Sequence, residues 1–224
     1  FTVVAGKPLD PGLSREDLDA VARGCENLEK HIENVRLFGI PSVVCINRFT
    51  TDTQGEIEVV REHALKAGAE QVVVSDVWAK GGKGGIGIAE ALVEACSKKS
   101  NFRFLYPDDM PIRKKIETIA TKIYGAARVE FAPEAEKKIK LFTRRGWDKL
   151  PICMAKTHLS LTHDPAVKGR PRGFVFPVRD IRPSIGAGFL YPLCGDMRTI
   201  PGLPTEPAGE KVDIDAEGKV VGLF

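Results

Sequence analysis

Two large aromatic side chains stand where polar loop residues are expected. Phe49 lies in Asn47-Arg48-Phe49-Thr50 and Trp78 in Asp76-Val77-Trp78-Ala79-Lys80. Each follows a short run rich in β-branched residues, Ile40–Ile46 and Val72–Val74. Rings at the ends of adjacent parallel strands come close enough to face one planar ligand. Stacking a ring system contributes ~1–3 kcal/mol per plane, so the pair suits a flat heteroaromatic. The competing reading puts both rings in the packing of their own loops.

Three other groups bear on chemistry. Gly81-Gly82-Lys83-Gly84-Gly85 precedes a helical pattern, and consecutive glycines let backbone N–H groups face an anion. The segment departs from G-x-x-x-x-G-K-[ST], because Gly84 follows Lys83, and it is not G-x-G-x-x-G. It reads better as a flexible loop allowing close approach of a ligand or a neighbouring domain. His158, His163 and Asp164 lack the companions of a metal site, and loop histidines are the commoner case. Lys156-Thr157 suits either a phosphate or carboxylate contact or a structural turn.

The elements that must position these residues alternate through the first hundred residues. Val3-Val4-Ala5 reads as the end of a buried strand. Ser14 with Asp17 predicts a capping-box start for a helix carrying Leu18, Val21, Cys25, Leu28, Ile32 and Val35, closed by Gly39. A strand to Ile46 follows, then a helix from about Gln54 to Ala67, capped by Thr53 and stopped by Gly68. Val72–Val74 is the third strand, and Ala89, Leu92, Val93 and Cys96 mark a third helix. This βαβαβα order implies right-handed crossovers and a parallel sheet whose ligand edge lies beyond the strands' carboxyl ends. Gly6-Lys7-Pro8 and the loops bearing Phe49 and Trp78 share that edge.

The second half changes character. Lys98–Asn101 reads as a linker. Pro111 and Pro133 each open a helix, and after Gly146 come short strands at Ile152–Met154, Gly173–Val178 and Ala187–Leu193, then a terminal hairpin. The expected class is α/β, a parallel sheet with flanking helices, followed by a smaller α+β carboxy-terminal region. The expected domains are 1–100, carrying the ligand-side loops, and 101–224.

Composition narrows the function class. With 224 residues the chain can bury a core without disulfides or a structural metal. A net charge of +3 is too small for a nucleic-acid-binding chain as a whole. The basic residues on the two later helices alternate with Glu117, Glu134 and Glu136, which reads as a solvated face. No apolar run is long enough to span a bilayer. Five scattered cysteines point to a reducing compartment.

Asn27–Asn34, Phe38-Gly39-Ile40-Pro41, Asn47–Thr53 and Trp78–Gly82, together with Leu150–Thr157, Gly186–Phe189 and Pro201–Pro204, resemble formate–tetrahydrofolate ligase from Gly6 to Phe224. That family condenses formate with ATP to formyl phosphate, which the N10 amine of tetrahydrofolate then attacks to give 10-formyltetrahydrofolate. The resemblance implies that Phe49 and Trp78 sandwich the pterin, and that Thr50, Lys80, Gly81 and Gly82 shape the substrate site around them. Thr50 replaces a proline of some relatives. No catalytic residue and no metal ligand is assigned to this chain. The resemblance covers the carboxy-terminal part of the enzyme, and the phosphate loop that holds ATP with Mg lies upstream of Phe1 in the full-length enzyme.

The resulting expectation is the folate-binding part of the ligase, inactive without an amino-terminal ATP domain supplied in cis or as a second chain. A homo-oligomer is expected, with no nucleic-acid or membrane partner, in the cytoplasm or the mitochondrial matrix. The alternative is a non-catalytic structural or interaction subunit that retains the fold.

Overall fold

The computed structural model describes residues 11–195, 205–218 and 220–222. The expected first strand, the Gly6-Lys7-Pro8 loop and Pro201–Pro204 lie outside them. The chain divides into two compact units, residues 17–197 and residues 1–16 with 198–224. The smaller unit shows a 3-10 turn at Pro11–Ser14 and, near the end of the chain, the expected hairpin, here the antiparallel pair Asp213–Ile214 and Val220–Val221.

The larger unit begins with α1, Leu18–Leu37. Its cap is Asp17, whose carboxylate accepts the Ala20 N–H at 2.9 Å. Ser14 does not serve, because it belongs to the preceding 3-10 turn. The start therefore falls three residues later than the Ser-Asp spacing suggests. Gly39 (φ 70°) follows the last turn, where a left-handed conformation favours glycine.

β1 (Val43–Asn47) and β2 (Gln71–Ser75) pair in parallel, with Asn47 opposite Ser75 at their carboxyl ends. Between them runs α2, Gln54–Lys66. Thr53 and Glu56 form the full capping box: the Thr53 hydroxyl accepts the Glu56 N–H at 3.2 Å, and the Glu56 carboxylate accepts the Thr53 N–H at 3.0 Å. The Thr53 N–H is the main cause holding the Glu56 carboxyl below its usual range. That contribution is present at neutral pH and is lost as pH falls through the lowered value. Thr53→Ala is expected to cost about 1 kcal/mol of stability, read as a lower urea midpoint at unchanged slope.

After β2 comes α3 (Val77–Lys80), a 3-10 turn over Gly81–Gly85 and α4 (Ile86–Ser97). The Val72–Val74 strand and the helix after it are as expected. Trp78 and Lys80, however, sit on a helical turn rather than in a loop, and the glycines continue that winding. The turn forms because the Ala79 and Lys80 N–H groups both bond to the Asp76 carbonyl.

The remaining elements are α5 (Ile112–Thr118), extended by a π turn over Ile119–Ile123, then β3 (Arg128–Phe131), α6 (Pro133–Arg144), β4 (Val175–Val178), β5 (Asp180–Ser184) and β6 (Phe189–Leu193). β3 pairs in parallel with β4, and β5 pairs antiparallel with β6. Ile152–Met154 is not a strand. Ile152 and Ala155 make only single parallel bridges, to Leu190 and Leu193.

The principal core joins Ile112, Ile116 and Ala120 to Phe142, Phe176, Val178, Ile181 and Leu190. A smaller cluster sits between α1, α2 and β2 around Ile32, Ala64 and Val72. α1 ties the two regions together. Lys30 Nζ donates to the Lys122 carbonyl at 2.8 Å and Asn34 Nδ2 to the Ile123 carbonyl at 3.1 Å. Several basic residues of α5 and α6 are engaged with acids, Lys114 with Glu117, Arg113 with Glu136 and Lys138 with Asp180.

Candidate functional site

The parallel pairing of β1 and β2 fixes the site's frame. The ladder runs one step past Asn47, where the Arg48 N–H bonds to the Ser75 carbonyl at 3.3 Å. Both chains then turn away from the sheet side by side. In the first, Asp52 folds the loop back: its carboxylate accepts the Phe49 N–H at 2.7 Å and its own N–H reaches the Phe49 carbonyl at 3.2 Å. Phe49 and Thr50 are thus held on a tight turn, both exposed.

In the second chain, Trp78 occupies α3. Its indole N–H donates to the Arg48 carbonyl at 2.8 Å, one residue before Phe49. This bond joins the two junctions directly and sets the indole beside the Phe49 turn. Both rings nevertheless face solvent, Phe49 64 % and Trp78 61 % exposed. Among the described residues neither ring contacts another ring. Their exposure rules out the alternative that they pack the interior of their own loops. Two neighbouring bare aromatic faces are the surface expected of a ligand platform.

Lys80 reaches back to Asp76, Nζ to carboxylate at 2.9 Å. The Lys80 ammonium is the main reason the Asp76 carboxyl lies below its usual range. The pair offsets its own charges at the edge of the platform. Gly81 carries φ 56°, and a Cβ on it or on Gly82 would meet nothing.

Gly84 is the constrained glycine. A Cβ there would lie 2.5 Å from the Asp76 carbonyl carbon and oxygen and 2.8 Å from the Val77 nitrogen. The Gly84 carbonyl accepts the Asp76 N–H at 3.3 Å, so the turn closes against the end of β2. The residue type that permits this approach was visible in the sequence, but the glycine-rich pattern did not say which of its four glycines needed it. Gly84→Ala is expected to destabilise the protein by about 1–3 kcal/mol, as overpacking against backbone does, with a lower thermal midpoint. Gly82→Ala should leave the midpoint nearly unchanged.

Of the other flagged residues, Lys156 has structural partners. Lys156 Nζ donates to the Thr157 and Ser160 carbonyls and stands 5.0 Å from the centre of the Tyr124 ring. It anchors its own turn, the structural alternative read for Lys156-Thr157. His158 and His163 line a separate surface pocket with Asp164 and Pro165. No group of three or more His, Cys, Asp or Glu suited to a metal occurs among the described residues. No helix among them is long and apolar enough to cross a membrane.

The family model described as formate–tetrahydrofolate ligase matches residues 3–224. A protein of Desulforamulus reducens, named formate–tetrahydrofolate ligase, is 57% identical over 99% of this chain and 39% of its own length. The cytoplasmic C-1-tetrahydrofolate synthase of Schizosaccharomyces pombe is 52% identical over 97% of this chain and 23% of its own. The mitochondrial C-1-tetrahydrofolate synthase of Saccharomyces cerevisiae is 50% identical over 99% and 23%. The chain therefore spans about two fifths of the bacterial relative and about a quarter of the yeast ones.

Proposed function

The chain belongs to the formate–tetrahydrofolate ligase family, and from that premise we propose that it forms the folate-binding part of such a ligase, in the cytoplasm or the mitochondrial matrix. The observation that carries this reading is the bond from the Trp78 indole to the Arg48 carbonyl, which couples two exposed rings at adjacent strand ends. A pterin between them would gain stacking on each face, and the self-paired Lys80 and Asp76 would leave its polar edge free to bond with Thr50 and the loop backbone.

ATP with Mg belongs elsewhere in the polypeptide. A phosphate cradle needs several backbone N–H groups converging on one point. The Gly81–Gly85 segment is wound into a 3-10 turn, and Gly84 is packed against the Asp76 backbone. Its residues do not fit a triphosphate, and no phosphoryl-transfer step is assigned to this chain. Formyl phosphate would be made by an ATP-binding domain joined in cis or supplied as a second chain, within a homo-oligomer. This chain's residues would bind and orient tetrahydrofolate and keep water from its pterin faces.

Fluorescence tests the reading directly. The protein has two tryptophans, and Trp147 is packed against Phe142 with ring centres 5.5 Å apart. Tetrahydrofolate is expected to quench the exposed Trp78 saturably, and Trp78→Phe should abolish most of the signal. Quenching that survives Trp78→Phe at full amplitude would overturn the assignment.

A further inference from the structure

A second apolar surface lies away from the folate platform. An open groove of about 820 Å³ runs between α1 and the segment leading into the principal core, with Phe38, Phe104, Tyr106, Ile119, Tyr124 and Met154 among its walls. Its floor is firm, because Tyr124, Ile152 and Met154 pack on the outer side of the main core cluster. Its rim is bare. Phe104 is 74 % exposed and Phe102 is 52 % exposed, the two rings meeting edge to face at 5.2 Å. Bare aromatic rings beside a preformed groove mark a surface made to be covered. One wall is also incompletely satisfied. Asn34 Oδ1 is buried without a hydrogen-bond partner among the described residues, and buried acceptors are nearly always paired.

The lining chemistry narrows the occupant. Among the described residues, His31 and Asp108 are the only titratable groups on the walls besides the two tyrosines, and no Lys or Arg lines the groove; Lys115 and Lys156, against the Tyr106 and Tyr124 rings, are engaged with backbone carbonyls. Formate, a nucleoside triphosphate and a folate tail are all anionic and would find no lining cation to pair with. An acidic peptide would be desolvated without a counter-ion. An uncharged apolar segment of polypeptide fits, laid in as an amphipathic helix lays its anchors into a groove. The larger part of the family's bacterial polypeptide lies outside the stretch matched by this chain.

We propose that this groove is the docking surface for an apolar segment of the ligase polypeptide outside these 224 residues, with Phe104 as a central anchor. The proposal rests on the ligase reading for its partner and uses none of the folate-site residues. Burying one large aromatic at the centre of an interface is commonly worth tenfold or more in affinity.

The test places a photo-crosslinking aromatic in the full-length protein, Phe104→p-benzoylphenylalanine, followed by irradiation and peptide mapping. The expected crosslink joins position 104 to a peptide outside residues 1–224, in the same polypeptide or its companion chain. Crosslinks confined to residues 1–224, whether of the same or of an isotopically labelled second copy, would overturn the proposal, as would no crosslink. A second variant, Phe104→Asp, should lower ATP-dependent turnover about tenfold while tetrahydrofolate quenching of Trp78 stays within about twofold. Unchanged turnover would overturn the docking role. Loss of Trp78 quenching in the unsubstituted protein would instead sink the folate reading, leaving the crosslink map to decide the groove.

Discussion

Trp78→Ala is expected to raise the Michaelis constant for tetrahydrofolate by roughly tenfold to a hundredfold, the loss of one stacking face at ~1–3 kcal/mol. The effect should fall on binding of this one substrate. The constant for ATP should hold, because the Gly81–Gly85 turn beside the platform does not fit a triphosphate. Removing the indole also breaks its bond to the Arg48 carbonyl, 2.8 Å in the intact protein. Part of the loss therefore comes from a less ordered Phe49 turn. Trp78→Phe separates the two causes: it keeps a ring but removes the N–H donor, and should lie between the parent and the alanine variant. Phe49→Ala should weaken tetrahydrofolate by a similar factor. The double variant should lose less than the product of the two, because neighbouring groups that share a ligand do not add. Both residues are more than half exposed, so neither change should alter the thermal midpoint much. The measurement is steady-state kinetics on the full-length enzyme with tetrahydrofolate varied. Unchanged constants in both single variants would end the stacking model.

What could be read from the sequence followed from signals that act over a few residues. The Ile40–Ile46 run, the Val72–Val74 strand and the Thr53 cap are local; the structure keeps the strand and the cap where their residues put them and starts β1 three residues later, at Val43. That the segments bearing Phe49 and Trp78 leave the sheet from neighbouring strands followed as well, from the parallel pairing of β1 and β2. What failed depended on competition or on distant partners. Ser14 matched a capping pattern, but a 3-10 turn at Pro11–Ser14 claimed it and left Asp17 to cap. β3 and β5 passed unnoticed. Arg128-Val-Glu-Phe is four residues long with charges at alternate positions, and Asp180-Ile-Arg-Pro-Ser contains a proline. β3 finds its partner only at Val175–Val178, far along the chain. The apolar groove was invisible for the same reason, since its walls come from α1, the stretch after Phe104 and the segment around Met154.

The lysines gave the sharpest misreading, and they carry the second large effect. Arg113-Lys114-Lys115 reads as a solvated basic stretch, and Lys114 obeys, pairing with Glu117 at 2.7 Å in the open. One residue on, about 100° around the helix, Lys115 is completely buried. Its Nζ donates to the carbonyls of Asp108, Asp148 and Leu150 at 2.6, 2.7 and 3.0 Å. One ammonium thus pins the entry to α5 to the turn after α6, using all three of its protons.

Replacing Lys115 by Met keeps much of the volume and removes the desolvation cost of the charge, which in some buried ion pairs makes such a change neutral. Here the acceptors are backbone carbonyls that the substitution cannot remove. Each buried acceptor left without a donor costs ~1–3 kcal/mol, so Lys115→Met should lose about 3–5 kcal/mol, the range of the most damaging single changes. Lys114→Met should stay within about 0.5 kcal/mol. Burial holds the Lys115 ammonium below its ordinary pKa, partly opposed by Asp108 and Asp148. Between that lowered value and the ordinary lysine range the unfolded chain binds more protons than the fold. In that alkaline window the Lys115 contribution to stability rises with pH, and Lys115→Met should lose that slope. Urea unfolding of the three proteins at neutral and alkaline pH measures both effects. A Lys115→Met protein within 1 kcal/mol of its parent would show that the three carbonyls find other donors, and that this lysine is not the pin between the two segments.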